Sequence, residues 1–199
     1  KITAISPGVD LGRWRFDRFP RPKPGPVRLL FVGGDFQRKG GPILLDVYRT
    51  ALQDTCELDI VTRDPVDAEG LPGVRVHHGV TSNSPELLAL YAAADIFVLP
   101  TLGECYSLAG IEALASELPL VISDIGATHE IIGNDVGGIT VPPGDRDALA
   151  EAILRLVKDP DLRWQLGWAG RKRAEELFDG ARNYRAIIAL YKRCVDGKC

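Results

Sequence analysis

DIFVLPTLGECYSLAGIEALASELPLVIS, residues 95–123, is the stretch that decides the fold. It opens with an apolar run, Ile96 to Leu99, short enough to be a strand buried on both faces. Pro100 stops that strand and Thr101-Leu102-Gly103 turns the chain. The spacing then predicts a helix over residues 106–116. Pro119 ends it before a second apolar run, Leu120 to Ile122. Strand, loop, helix and strand in this order form a unit that binds anionic ligands where the loop meets the helix.

Two glutamates sit in this unit, Glu104 in the loop and Glu112 in the helix. Helical side chains lean toward the N-terminus, so Glu112 reaches back toward the end where Glu104 lies. Between them the backbone N–H groups near Ser107, Leu108 and Ala109 carry the positive end of the helix dipole. A ligand with a phosphate and several hydroxyls suits such a site: N–H groups take the phosphate, and carboxylates accept from the hydroxyls. For an arbitrary pair of glutamates the alternative is an N-capping Glu104 and a solvated Glu112.

The surrounding residues bear on that choice. Tyr91-Ala-Ala-Ala-Asp95, the strand, Pro100, the two glutamates with seven residues between them, and Pro119-Leu-Val together resemble the donor-binding domain of retaining glycosyltransferases of the GT-B fold, in the large group called family 4. The resemblance implies that Glu104 serves the donor sugar and Glu112 the ribose hydroxyls. It also implies that no divalent metal or other cofactor is needed. Three positions depart from the family's usual pattern. Cys105 and Ser107 add side chains where the backbone approaches phosphate, and Glu117 stands where a helix-ending glycine is general.

Further out, 199 residues with 45% hydrophobic content can bury the core of one large domain. A net charge of -3, from 24 basic and 27 acidic residues, is no footprint for nucleic acid. No apolar run approaches the ~18 residues of a membrane span and no signal peptide opens the chain, so a cytoplasmic protein is expected. A start at Lys1 instead of Met suggests part of a longer protein. The cysteines, at 56, 105, 194 and 199, lack paired spacing, so reduced thiols are expected. No base stands beside Cys105 to make it a nucleophile.

Val27 to Val32 is the first strong strand, and Gly33-Gly34-Asp35-Phe36-Gln37-Arg38-Lys39-Gly40-Gly41 follows it. A glycine-rich turn between strand and helix is a phosphate-loop layout, although neither G-x-G-x-x-G nor G-x-x-x-x-G-K-[ST] is present. By resemblance Lys39 neutralises the donor diphosphate. Members with an arginine directly after the first glycine would place it at Gly34, and here Arg38 is the substitute. Solvated charges are the alternative for both basic residues. A helix is expected over 42–52. Strands follow near Leu58 and Val74, and backbone groups at Val80 meet the nucleobase by resemblance. His77 and His78 are consecutive, so on a strand they face opposite ways and form no ready metal pair.

At the start, 2–6 reads as a short strand, and Ser6-Pro-Gly-Val-Asp10 resembles the turn that opens the second domain in this family. Residues 13–26 read as a surface loop. Asp145 N-caps a helix over 146–157, Asp159-Pro160 starts another, and a final helix follows Asp179-Gly180.

Strands alternating with helices imply an α/β, Rossmann-like parallel sheet of about six strands with helices on both faces, one half of a GT-B fold. The organisation expected is an interdomain-type entry segment over 1–26, a nucleotide-sugar-binding domain over 27–178 and a terminal crossing helix over 179–199. The acceptor domain would lie outside this chain. The glycine loop, the Val80 turn and the Glu104 loop all stand at carboxyl ends of strands, where ligands bind in such sheets. By resemblance, the reaction moves a hexosyl group from a UDP- or GDP-sugar to an acceptor alcohol, sugar or lipid bound by the other domain. That domain could also bring the protein to a membrane surface. The fragment alone would bind donor without transferring it. Two competing readings are a non-catalytic nucleotide-sugar-binding module and a Rossmann oxidoreductase, the latter disfavoured by the missing dinucleotide fingerprint.

Overall fold

Six parallel strands carry the structure: β1 (Val27–Val32), β2 (Cys56–Val61), β3 (Val74–His77), β4 (Ile96–Leu99), β5 (Leu120–Ser123) and β6 (Gly138–Val141). A computed structural model describes residues 2–16 and 25–197. The strand order is β3-β2-β1-β4-β5-β6. Every residue of β4 and β5 is buried, as are Leu29, Leu30 and Phe31 of β1. Since alternate side chains point to opposite faces, both faces must be covered.

Helices provide that cover. They are α1 (Gly41–Val47), α2 (Pro85–Ala93), α3 (Leu108–Ala115), α4 (Thr128–Ile132), α5 (Arg146–Lys158), α6 (Pro160–Leu177) and α7 (Gly180–Val195). Helix α1 packs with α5, and α3 with α6. Five helix starts are capped by their own sequence: Ser84, Ser107, Asp145, Asp159 and Asp179 each accept a backbone N–H three residues on.

Strand order reverses between β1 and β4, which both leave the sheet at the same edge and diverge into loops. The crevice outside the carboxyl ends at such a point is where ligands bind in open α/β sheets. The expected sheet and its two-sided cover are therefore present, and the two main candidate loops flank the crevice.

Several local expectations are corrected. Residues 2–8 form no strand; the segment is held by an isolated bridge between Val9 and Asp179, with Val9 N–H donating to Phe178 O at 2.9 Å. The surface-loop reading of 13–26 fails at Trp14, which is fully buried and meets Tyr91 edge to face at 4.9 Å. Phe16, two residues on, is half-buried against the same core, and 17–24 lie outside the described residues. The helix expected over 42–52 becomes π-helical from Tyr48 to Leu52, placing both of those side chains in the core. Helix α3 starts at Leu108, two residues later than expected, because Ser107 is extended and caps it. Cys194 is disulfide-bonded, contrary to the expectation of reduced thiols, in a pairing that motif spacing does not signal. Helix α7 buries no residue: Tyr184 and Tyr191 of its apolar face are 65% and 67% exposed.

The entry segment is tied to the rest by one buried cation. Arg171 of α6 is 7% exposed and directs its guanidinium N–H groups at the carbonyls of Leu11 (3.2 Å), Trp14 (3.2 Å) and Ala115, with Glu175 as its counter-charge at 2.9 Å. Arg171→Ala leaves these acceptors without a donor and is expected to lower stability by about 3 kcal/mol. The check is the denaturant midpoint at unchanged m-value; a loss below about 1 kcal/mol would mean that this cation does not hold the segment.

Glu117 takes the place of a helix-ending glycine at a left-handed φ of 58°. Its own N–H donates to Leu114 O and that of Leu118 to Ala113 O, so the turn is a helix C-cap that glycine suits best. Glu117→Gly should raise stability by about 0.5–1 kcal/mol, the steric relief exceeding the added unfolded-state entropy. Thermal unfolding with a lowered midpoint would contradict this.

Candidate active site

The glycine loop after β1 is fastened at both ends. Gly33 N–H donates to Val61 O at 2.9 Å, extending the β1–β2 ladder by one residue. Phe36 N–H donates to Asp64 Oδ2 at 2.7 Å, and the Phe36 ring is buried. Asp35 accepts from Arg38 twice, from its backbone N–H and from Nε, both at 3.0 Å. Those bonds, the backbone one first, hold the Asp35 carboxyl below the usual carboxylate range.

Gly40 then brings the loop against the one after β4. Its φ is 76°, and a Cβ there would overlap the carbonyl oxygen of Pro100, so no other residue fits. The two loops are also bonded: Leu102 N–H donates to Arg38 O at 2.9 Å, and Arg38 Nη1 to Gly103 O at 2.6 Å. Lys39, next to Gly40, therefore lies beside Glu104. Lys39 Nζ and Glu104 Oε2 form an ion pair whose side chains are 15% and 8% exposed. Glu104 Oε1 accepts Cys105 N–H at 3.1 Å. Behind it, Gly126 presses on the Glu104 carbonyl where no Cβ has room, and Ala127 N–H donates to Cys105 O at 3.2 Å.

Helix α3 opens from this loop. Ser107 is buried, and its Oγ accepts Gly110 N–H at 3.1 Å. The N–H groups of Leu108 and Ala109 belong to the first turn, where no intrahelical acceptor exists. Leu108 is exposed and Ala109 half-buried. Glu112 is held from below by Tyr91, whose hydroxyl lies 3.1 Å from Glu112 Oε2 and 3.2 Å from Ala109 O. Burial pushes the Glu112 carboxyl up to about 7, the Tyr91 bond offsetting only part of that rise.

The structure thus brings Lys39, Arg38, Glu104 and the start of α3 together, with Gly33 and Gly34 at the loop's root. Val80 is half-buried in the turn after β3, which Gly79 makes at a φ of 75°; among the described residues no hydrogen bond or ion pair joins it to the others. Sequence reasoning missed two supports. Asp64 looked like part of a Pro/Asp-rich connection, and Tyr91 carried no sign of facing a carboxylate one helix away. Two stretches with D-x-D spacing, Asp145-Arg-Asp147 and Asp159-Pro-Asp161, are helix starts whose first aspartates are caps. No cluster of three metal-ligating side chains occurs among the described residues. His77 Nε2 instead meets Asp59 at 2.8 Å, and His78 Nδ1 meets Thr62 O at 3.1 Å.

A carboxyl whose folded-state value lies near 7 against an ordinary 4.5 binds its proton more tightly in the folded chain. Its contribution to stability is complete below pH 4.5 and is lost as pH rises through 7. Between about pH 5 and pH 8 the wild type should lose about 2–3 kcal/mol that Glu112→Gln does not. Urea titrations across that range test this, and parallel pH profiles for the two proteins would refute it.

Comparison with known proteins agrees with the geometry. The family described as Glycosyl transferases group 1 matches residues 26–159. MMP alpha-(1->4)-mannosyltransferase of Mycolicibacterium hassiacum is 32% identical over 188 residues, covering 88% of this chain and 46% of that protein. Glycogen synthase of Mycobacterium tuberculosis is 32% identical over 204 residues, covering 96% and 48%. The chain spans about half the length of these relatives. Among solved structures, sucrose-phosphate synthase of Thermosynechococcus elongatus superposes with a TM-score of 0.85 at 26% identity, over 97% of this chain and 52% of that one. Anabaena HepE, in complex with UDP and glucose, has the same fold at a TM-score of 0.80 and 16% identity, over 94% and 56%. On its matched sequence and its fold, the chain belongs to the glycosyl transferases group 1 family.

Proposed function

We propose that this chain is the donor-binding half of a retaining glycosyltransferase that takes a hexosyl group from a UDP- or GDP-sugar. The observation that carries the reading is the half-buried Lys39–Glu104 pair, set where the loops after β1 and β4 meet at the sheet's reversal point. A cation held there by a close backbone contact suits a leaving diphosphate. That HepE is solved with UDP and glucose on the same fold supports the ligand class at the level of fold.

The chemistry follows from the groups present. As the anomeric bond breaks, negative charge grows on the departing diphosphate, and catalysis requires fixed positive groups aimed at it. Lys39 and the first N–H groups of α3, at Leu108 and Ala109, supply them, with Arg38 beside them. Lys39 has three N–H donors, so a diphosphate can share it with Glu104 or displace that carboxylate. Glu104, once released, accepts from hydroxyls of the donor sugar, and Glu112 accepts from those of the ribose. No divalent metal is required in this scheme. Acceptor binding and closure over the donor fall to a second domain, in keeping with a chain half as long as its relatives.

Calorimetry with UDP, GDP, uridine, guanosine and the corresponding glucose and mannose conjugates tests the assignment. Lys39→Ala should weaken the preferred nucleoside diphosphate by about 1.5–3 kcal/mol and leave the nucleoside nearly unchanged. Glu104→Ala should spare the diphosphate and weaken only the sugar-bearing donor. Equal losses on nucleoside and diphosphate for Lys39→Ala would remove the lysine from the phosphate site. A loss of bare diphosphate in Glu104→Ala would reverse the role given to the glutamate.

A further inference from the structure

Gly33 and Gly34 lack side chains, yet the space above both is filled by cationic ones. A Cβ built on Gly33 would lie 3.0 Å from Lys39 Cβ and Cγ. A Cβ built on Gly34 would lie 2.9 Å from Arg63 Nε and 3.0 Å from its Nη2. The Lys39 stem and the Arg63 guanidinium therefore cross successive glycines at the carboxyl end of β1. Gly34 is outside the left-handed region, so the obstacle to a larger residue there is Arg63 itself.

Arg63 arrives from β2, whose last residue, Val61, is in register with Val32. The backbone on both sides of it is fixed. Thr62 N–H donates to His77 O at 3.3 Å, and Thr62 O accepts from His78 Nδ1 at 3.1 Å. On the other side, Asp64 takes the Phe36 N–H of the glycine loop and donates its own N–H to Thr62 Oγ1 at 3.3 Å. The side chain is not fixed. It is exposed and, among the described residues, makes no hydrogen bond or ion pair. Arg38 differs: its guanidinium is engaged by Asp35 and by Gly103 O. Lys39 is engaged by Glu104.

We infer that Arg63 is a diphosphate-binding residue of the donor site, entering from β2 over Gly34 and pairing with the same ligand group as Lys39. The inference rests on the donor-site reading above and adds to it a residue outside the glycine loop. Guanidinium chemistry favours this ligand: a planar fork of N–H donors matches two phosphate oxygens at once, and a held backbone limits the entropy lost on engagement. Arg38 is by comparison already committed in part, with its Nε on Asp35 and its Nη1 on Gly103 O.

The test is calorimetric titration of the chain with UDP, GDP, uridine and guanosine. Arg63→Ala should weaken the preferred nucleoside diphosphate by about 10- to 100-fold and change nucleoside binding by less than about twofold, as expected for a lost charge-assisted contact. Its thermal midpoint should match the wild type, the side chain being exposed. Gly34→Arg placed in the Arg63→Ala background should recover at least about tenfold of the loss, since the new guanidinium starts from the vacated space. Unchanged diphosphate binding in Arg63→Ala overturns the inference, as does an equal loss on the nucleoside, which would mark a base contact. A double variant that recovers nothing also overturns it, because position 34 would then not address the ligand. If the wild type binds neither diphosphate, the donor-site reading itself falls and takes this inference with it. That outcome is separate from a wild type that binds and an Arg63→Ala variant that binds equally well.

Discussion

Contact between the backbone at Gly40 and the carbonyl of Pro100 is the constraint on which the rest of the site depends. Parallel strands β1 and β4 are hydrogen-bonded neighbours, so the loops that leave their carboxyl ends start a strand spacing apart. They remain that close only because Gly40 has no Cβ and adopts a left-handed φ. Once the loops touch, Leu102 and Gly103 bond to Arg38, and the side chain after Arg38 has one direction left, toward Glu104. Gly126 repeats the device on the other flank, allowing the loop after β5 to press on the Glu104 carbonyl. Two glycines thereby convert strand order into a fixed side-chain pair.

The electrostatics of the site follow from that pair. A half-buried lysine and glutamate each lose part of their hydration, and the loss is tolerable because they face each other. Removing either one would leave an uncompensated charge. On the proposed donor-site reading, a diphosphate would avoid that penalty by bringing its own anionic oxygens to Lys39 while Glu104 turns to hydroxyl donors. Among the described residues Glu112 has no ion-pair partner and its side chain bonds only the Tyr91 phenol, so burial raises its carboxyl toward neutrality. The two glutamates of the motif, alike in sequence, are thus in opposite electrostatic states: one is an ion-pair partner and the other is a carboxyl close to its titration point.

The sheet was legible because β4 and β5 are short, largely apolar runs with a proline beside each, a pattern that a half-exposed strand does not show. Helix starts were legible at Asp145, Asp159 and Asp179, while the start capped by Ser107 came two residues later than expected. Lys39, Glu104 and the start of α3 were readable as one site because each follows a strand directly. What escaped depended on partners distant in sequence. Trp14 is a core residue that Tyr91 receives edge to face, and the entry segment is held at Val9 by a bridge to Asp179, not by a strand edge. Arg38 read as a phosphate ligand, and its bond to the other loop at Gly103 O escaped notice because that carbonyl lies 65 residues away. The approach of Arg63 to Gly34 has no local signal at all, since it depends on strand register and on the anchor that Asp64 provides for Phe36.

The departures at Cys105 and Ser107 acquire a meaning from the same geometry. Side chains there looked set to narrow the space where a backbone approaches phosphate. Ser107, however, turns its hydroxyl back onto Gly110 N–H and is buried, so it takes no room from the crevice. It does consume one of the helix's orphan donors, leaving Leu108 and Ala109 as the N–H groups open to an anion. Cys105 contributes its carbonyl to Ala127 and directs an exposed side chain away from the core. Loss of one N–H donor shifts the burden of charge compensation from the helix N-terminus onto side chains. A chain with that arrangement needs cations over its glycine loop more than one whose helix start is fully open. On the proposed donor-site reading, Lys39 and Arg63, crossing neighbouring glycines, would supply that compensation.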